Sequence, residues 1–128
     1  MWGFSSRFSA LDPLHAELMA LKTGLDELQR RQHHRVIIET DCSSVVTLLH
    51  GHASEDHPLV HLVSECKALH HSLWHCPVVY TPRVCNYVAH KLAFLSVSLC
   101  MHRPYVFLTA MPSSVTEVVM QDRLYNRA

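Results

Sequence analysis

The apolar positions change period several times along the chain, and each change marks an element. Trp2, Phe4 and Phe8, with polar residues between them, predict a short strand over residues 2–8. Leu14, Leu18, Leu21, Leu25 and Leu28 then fall at spacings of 3 and 4, the stripe of a helix with one buried side. Asp12-Pro13 supplies its start: the carboxylate can accept from free amides, and proline fits the first turn, where an N–H has no partner. The polar run Arg30-Arg31-Gln32-His33-His34 ends the helix. Val36-Ile37-Ile38 follows without interruption, which predicts a β-branched strand covered on both faces.

The second half repeats this alternation. Ser43 or Ser44 starts a helix that buries Val45, Val46, Leu48 and Leu49 and stops at Gly51. The polar stretch His52–His57 predicts a loop. Pro58 opens a further helix carrying Leu59, Leu62, Val63, Cys66 and Leu69. Val78-Val79-Tyr80, between Pro77 and Pro82, predicts a strand, and Asn86 caps a last major helix built on Val88, Ala89, Leu92, Phe94 and Leu95. Tyr105–Leu108 reads as extended and Val115–Leu124 as a short terminal helix. Strands alternating with helices from residue 2 to residue 99 imply an α/β fold with at least one parallel strand pair.

Composition narrows the classes. At 128 residues and 14.6 kDa the chain fits one domain, residues 1–128, with a main body over 2–100 and a C-terminal extension over 101–128. A hydrophobic fraction of 48% argues against disorder. Eleven Lys+Arg against 11 Asp+Glu, with a pI near 7.2, argue against a basic nucleic-acid arm or a polybasic membrane anchor. No apolar run approaches the roughly 18 residues of a membrane span, and Met1–Arg7 lacks the charged-then-apolar order of a secretory signal. An intracellular location without a membrane partner is therefore expected. The five cysteines (Cys42, Cys66, Cys76, Cys85 and Cys100) are odd in number and lack framework spacing, which favours free thiols.

Candidate chemistry is sparse. Asp41 follows the predicted strand at its carboxyl end, where α/β sheets place ligands, and Glu17 lies one step off the leucine stripe. Oxygen ligands from separate elements suit Mg²⁺, although a capping aspartate and a solvated glutamate explain the same residues. Twelve histidines raise a zinc alternative: Cys66 and His70 stand one helical turn apart, with His71, His75 and Cys76 close behind. Against it, Cys66 falls on the apolar stripe and no Cys-x-x-Cys occurs. Cys42 at a helix start has no assigned base. Lys22, Arg30, Arg31 and Arg35 could form a small basic patch, or simply a solvated helix end.

The wording of these segments carries more than their composition. Ala16–Leu25 (AELMALKTGL), Arg35–Cys42 (RVIIETDC), His57-Pro58-Leu59-Val60 and Val79–Ala93 (VYTPRVCNYVAHKLA) resemble, in order, the plant ribonuclease H-like domain of the type 1 ribonuclease H family, found in reverse-transcriptase-derived proteins. The stretch Pro112–Asp122 is similar to that family's ending. The resemblance implies a ribonuclease H-like α/β sandwich with a mixed sheet, here lacking the first two strands. It implies an ancestry in enzymes that cut the RNA strand of RNA–DNA hybrids with two Mg²⁺ ions held by four carboxylates. Glu17 and Asp41 match two of them. The family's opening-strand aspartate would precede residue 2, and in Asn86-Tyr87-Val88-Ala89-His90-Lys91-Leu92-Ala93 a histidine, His90, stands where the pattern Asn-x-x-Ala-Asp-x-Leu-Ala has its aspartate. Arg83 and Asn86 match the region that meets nucleic acid.

The expectation is thus a truncated domain of retroelement origin, defective in cleavage, that binds hybrid or other nucleic acid weakly and does not hold Mg²⁺ productively. An interaction module, or a ribonuclease active only in a longer form, are the alternatives. Loss of the opening strand would also leave an edge of Val36–Ile38 unpaired, open to self-association or aggregation unless strand 2–8 slides across to pair with it.

Overall fold

A computed structural model describes residues 3–6, 10–99 and 105–108. The chain divides into two compact units, residues 10–80 and residues 1–9 with 81–128. The first carries helix α1 (Pro13–Arg30), strand β2 (Ile38–Thr40), helices α2 (Ser43–His50) and α3 (Val60–Ser72), and strand β3 (Val78–Tyr80). The second carries strand β1 (Gly3–Ser6), a short 3-10 turn (Arg83–Cys85), helix α4 (Tyr87–Leu99) and strand β4 (Tyr105–Leu108). Helices and strands interleave, with α2 and α3 consecutive, and the fold is α/β.

In the unit of residues 10–80, α1 begins as its sequence dictates. Asp12 is the cap, its Oδ1 accepting from the His15 N–H at 2.8 Å, and Pro13 is the first helical residue. Leu18, Leu21, Leu25 and Leu28 all point into the core, where they meet Val63 and Cys66 of α3 and Val45 and Leu49 of α2. Leu18, Leu25 and Cys66 are completely shielded from solvent. Strand β2 runs parallel to β3 with Ile38 opposite Val78, Glu39 opposite Val79 and Thr40 opposite Tyr80. Helix α2 packs on both strands, and Val78 joins the core from the sheet.

The end of α1 holds a local conflict. Gln32 adopts a left-handed backbone, φ 57°, while His33 N–H donates to Leu28 O at 3.0 Å and Gln32 N–H to Gln29 O at 3.1 Å. These two bonds make the left-handed helix stop that glycine usually fills, because a Cβ there crowds the following carbonyl. Gln32→Gly is therefore expected to raise stability by about 0.5–1 kcal/mol in urea titration. Gly51, at the end of α2, is bound differently: a Cβ there would stand 2.8 Å from the Thr47 carbonyl oxygen.

Several expectations need correction. The strand predicted at Val36–Ile38 begins at Ile38 and runs to Thr40, and it is not covered on both faces: Ile37 is 67% exposed and Glu39 is exposed. Pairing with β3 fixes the register, since Ile38 N–H donates to Pro77 O at 2.9 Å and places the ladder two residues later. Pro58 lies in the turn before α3, which starts at Val60; the His57 ring accepts from the Leu59 N–H at 3.0 Å and tightens that turn. Ser43 is the first residue of α2, but the cap is Cys42, which makes no side-chain capping bond.

In the other unit, β1 pairs antiparallel with β4, Gly3 opposite Leu108 through Ser6 opposite Tyr105, and α4 packs on β1. The alternative in which strand 2–8 pairs with Val36–Ile38 is not adopted: within 3–6, the described part of that strand, the partner is β4. Tyr105–Leu108 is extended, as expected. Asn86 immediately precedes α4, and its carbonyl accepts from the His90 N–H at 3.2 Å. Phe94, expected in the helix's buried stripe, is 71% exposed, and Ala89 is exposed with it; Lys91 Nζ stands 5.6 Å from the Phe94 ring centroid. The proposed helix Val115–Leu124, the ending Pro112–Asp122, Cys100 and the ends of strand 2–8 at Trp2 and Phe8 lie outside the described residues.

Candidate functional site

The carboxylates singled out from the sequence sit in the unit of residues 10–80. Asp41 directly follows β2, between the strand's carboxyl end and the Cys42 cap of α2, and is half-buried. Thr40 Oγ1 accepts from the Cys42 N–H at 3.1 Å, which folds the backbone sharply around Asp41. Glu17 lies in the second turn of α1, next to the fully buried Leu18, and is also half-buried. Both therefore stand where a carboxylate can act from the margin of a core. Arg83, Asn86 and His90 belong to the other unit: Arg83 opens the 3-10 turn and is exposed, Asn86 closes it with its N–H on Arg83 O at 3.0 Å, and His90 is exposed on α4.

The two-ion chemistry implied by the ribonuclease H resemblance would require a dense donor set. Two dications held about 3.5–4 Å apart ready a water and stabilise a leaving oxygen, and they need several hard oxygen ligands to do so. The residues present do not fit that demand. Among the described residues, no group of three or more His, Cys, Asp and Glu side chains is arranged to hold a metal ion. His90 cannot replace an aspartate, because imidazole is a softer ligand for Mg²⁺ and brings no negative charge.

The zinc alternative meets the same finding, and the structure gives its members other tasks. Cys66 Sγ lies against Leu18 O at 3.6 Å inside the core, and His70 Nε2–H donates to Cys76 O at 2.6 Å. Burial pushes the Cys66 thiol up to about 11 from an ordinary value near 9, so it resists the thiolate form that a metal or an alkylating agent needs. The sign follows from proton binding. Between about pH 9 and pH 11 the unfolded chain loses this proton and the folded one keeps it, so stability falls as pH rises through that window. The expected loss is about 2–3 kcal/mol in denaturant titrations from pH 8 to 11, and Cys66→Ala should remove that part of the pH dependence.

The basic patch dissolves into separate pairs. Arg30 and Arg31 both bind Glu27 Oε2, at 2.6 and 3.2 Å, and Lys22 binds Glu65 at 2.9 Å. The hydrogen bond to Glu65 holds the Lys22 ammonium above its ordinary range. Pairs of this kind at the surface, such as Lys22–Glu65, contribute little to stability, and each carboxylate offsets part of the charge offered to a phosphate. Arg35 alone of the four stands elsewhere, in an open groove beside α3. Sequence reading missed Trp74, which is 73% exposed between α3 and β3. A tryptophan outside any apolar period, in a connector between two elements, was the available signal.

Among the described residues no helix is long and apolar enough to cross a membrane. The chain finds no match among curated proteins. A family model described as reverse transcriptase-like matches residues 1–96, three quarters of the sequence, from β1 through most of α4. The chain belongs to the reverse-transcriptase-like family.

Proposed function

We propose that the chain is a type 1 ribonuclease H-like domain of plant retroelement ancestry that meets nucleic acid without cutting it. The observation that carries this reading is His90. It occupies the aspartate position of a motif otherwise kept at Asn86, Ala89, Leu92 and Ala93, at the start of α4. Within these 128 residues, Glu17 and Asp41 fill two of the family's four carboxylate positions. Two carboxylates can neutralise one dication and cannot hold a second one in line with a phosphodiester.

Recognition is less demanding than cleavage. Arg83, exposed at the turn before α4, and Asn86, which closes that turn, supply a cation and an amide to a duplex backbone. With zero formal net charge, the domain gains little general attraction for polyanions, so binding is weak and falls steeply with salt. Gel-shift titration of an RNA–DNA hybrid at low salt is expected to show this binding. Arg83→Ala should weaken it several-fold, whereas Asp41→Asn should leave it unchanged in Mg²⁺. Indifference to Arg83→Ala, or a Mg²⁺-dependent affinity lost with Asp41→Asn, contradicts the reading.

A second reading, self-association, is favoured by one specific observation. Ile37 and Val79 are exposed beside Glu39 on one face of the β2–β3 pair. Unpaired strand edges and apolar sheet faces attract further chains.

A further inference from the structure

The groove beside α3 lies at the end of the sheet away from Asp41. Arg35, Val36 and Ile37 lead into β2, Cys76 and Pro77 lead into β3, and the two strands are parallel. The groove therefore opens at their amino ends, whereas Asp41 follows the carboxyl end of β2. Its volume is about 870 Å³, in the upper part of the range for ligand sites.

Its one formal charge is the Arg35 guanidinium. Arg35, His70, His71 and His75 line it and no carboxylate does. Arg35 is exposed and forms no ion pair among the described residues, unlike Lys22, Arg30 and Arg31. The wall is fixed rather than loose: His70 Nε2–H is held on Cys76 O, and the His71 ring stacks on that of His70 with centroids 6.2 Å apart and planes 28° apart. His75 takes a left-handed backbone, φ 52°, at the turn into β3. Next to it in the chain, between the groove residues Leu73 and His75, Trp74 is 73% exposed. An indole left in water is unusual, since tryptophan is well buried on average. The metal reading of these histidines is closed, because no three of the described His, Cys, Asp and Glu side chains are arranged to hold an ion.

An exposed cation, neighbouring imidazoles, the apolar side chains of Val36, Ile37 and Leu73, and the exposed indole of Trp74 next to the lining in the chain are complementary to one ligand class. Phosphates take the cation and the imidazoles of His71 and His75, and flat bases take the aromatic and apolar surface. A duplex hides its bases in the stack and offers the indole nothing; a single strand offers both parts. We propose that this groove and Trp74 form a contact site for single-stranded nucleic acid, with Arg35 on phosphate and Trp74 stacking on a base. The site does not depend on the ribonuclease H reading and uses none of its residues.

The test is fluorescence anisotropy of labelled oligothymidylate and oligouridylate with the full chain at low salt, alongside a polyglutamate peptide. Binding of either oligonucleotide is expected, with RNA and DNA arms showing which sugar is preferred. Trp74→Ala should weaken it by about tenfold or more, and Arg35→Gln should weaken it several-fold and reduce the salt slope by about one. Both residues are exposed, and circular dichroism checks that each variant is folded. Arg83→Ala should leave single-strand binding unchanged, which separates this site from the proposed hybrid contact. Failure to bind either oligonucleotide, retention of full affinity in Trp74→Ala and Arg35→Gln, or equal binding of polyglutamate overturns the proposal.

Discussion

Leu25→Ala is expected to destabilise the chain by about 3–5 kcal/mol, much of the total stability of a domain this size. Leu25 is wholly buried in the middle of α1, among Leu18, Leu21 and Leu28 of its own helix and Val63 and Cys66 of α3. Removing its branched end forfeits the transfer energy of the missing carbons and leaves a cavity that the surrounding helices cannot close. The unit of residues 10–80 has only a three-residue parallel strand pair, so the α1–α3 contact is its main apolar seam. Urea titration followed by circular dichroism measures the loss. An effect below about 1 kcal/mol would mean that α1 does not pack as described.

The second large effect concerns catalysis. His90→Asp restores one carboxylate at the start of α4, yet it is expected to yield no hybrid cleavage by the 128-residue chain. Even with a carboxylate at position 90, the 128 residues would carry fewer acidic ligands than the family resemblance implies for two ions. Transition-state stabilisation by paired metals is a joint property, so partial repair of the cage returns little of the rate. The same substitution placed in a chain that also carries the opening strand and its aspartate should cleave, with activity lost on Asp41→Asn. Silence of that repaired chain would place the defect outside the ligand set.

Much of the architecture was legible because local signals agreed with one another. The leucine stripe, Asp12-Pro13 and the polar run after Leu28 all specified α1, and the structure begins that helix at Pro13 and ends it at Arg30. Val78-Val79-Tyr80 lies between prolines, and the strand has those limits. The register of β2 was not legible. Val36, Ile37 and Ile38 have equal strand preference, and only the ladder with β3, a contact across some 40 residues of chain, selects Ile38–Thr40. Long-range pairing of this kind leaves no trace in a local pattern. The partner of β1 was not legible for the same reason, since β4 is far along the chain.

The site divides likewise. The position of Asp41 was legible, because it follows a predicted strand, and it does lie at that strand's carboxyl end. The charges near α1 were not findable as a patch or as pairs, because Lys22–Glu65 joins two helices and Arg30 and Arg31 share one carboxylate through side-chain geometry. The zinc candidates shared spacing without shared direction: Cys66 turns into the core and His70 to the Cys76 carbonyl.

The proposed reading, that His90 in place of an aspartate leaves this chain unable to cleave, is tested most directly by incubating the purified 128-residue protein with a labelled RNA–DNA hybrid in Mg²⁺. An intact RNA strand, at a rate indistinguishable from the protein-free control, is the expected result. Mg²⁺-dependent cutting of that strand by the native sequence, abolished by Asp41→Asn, would contradict it.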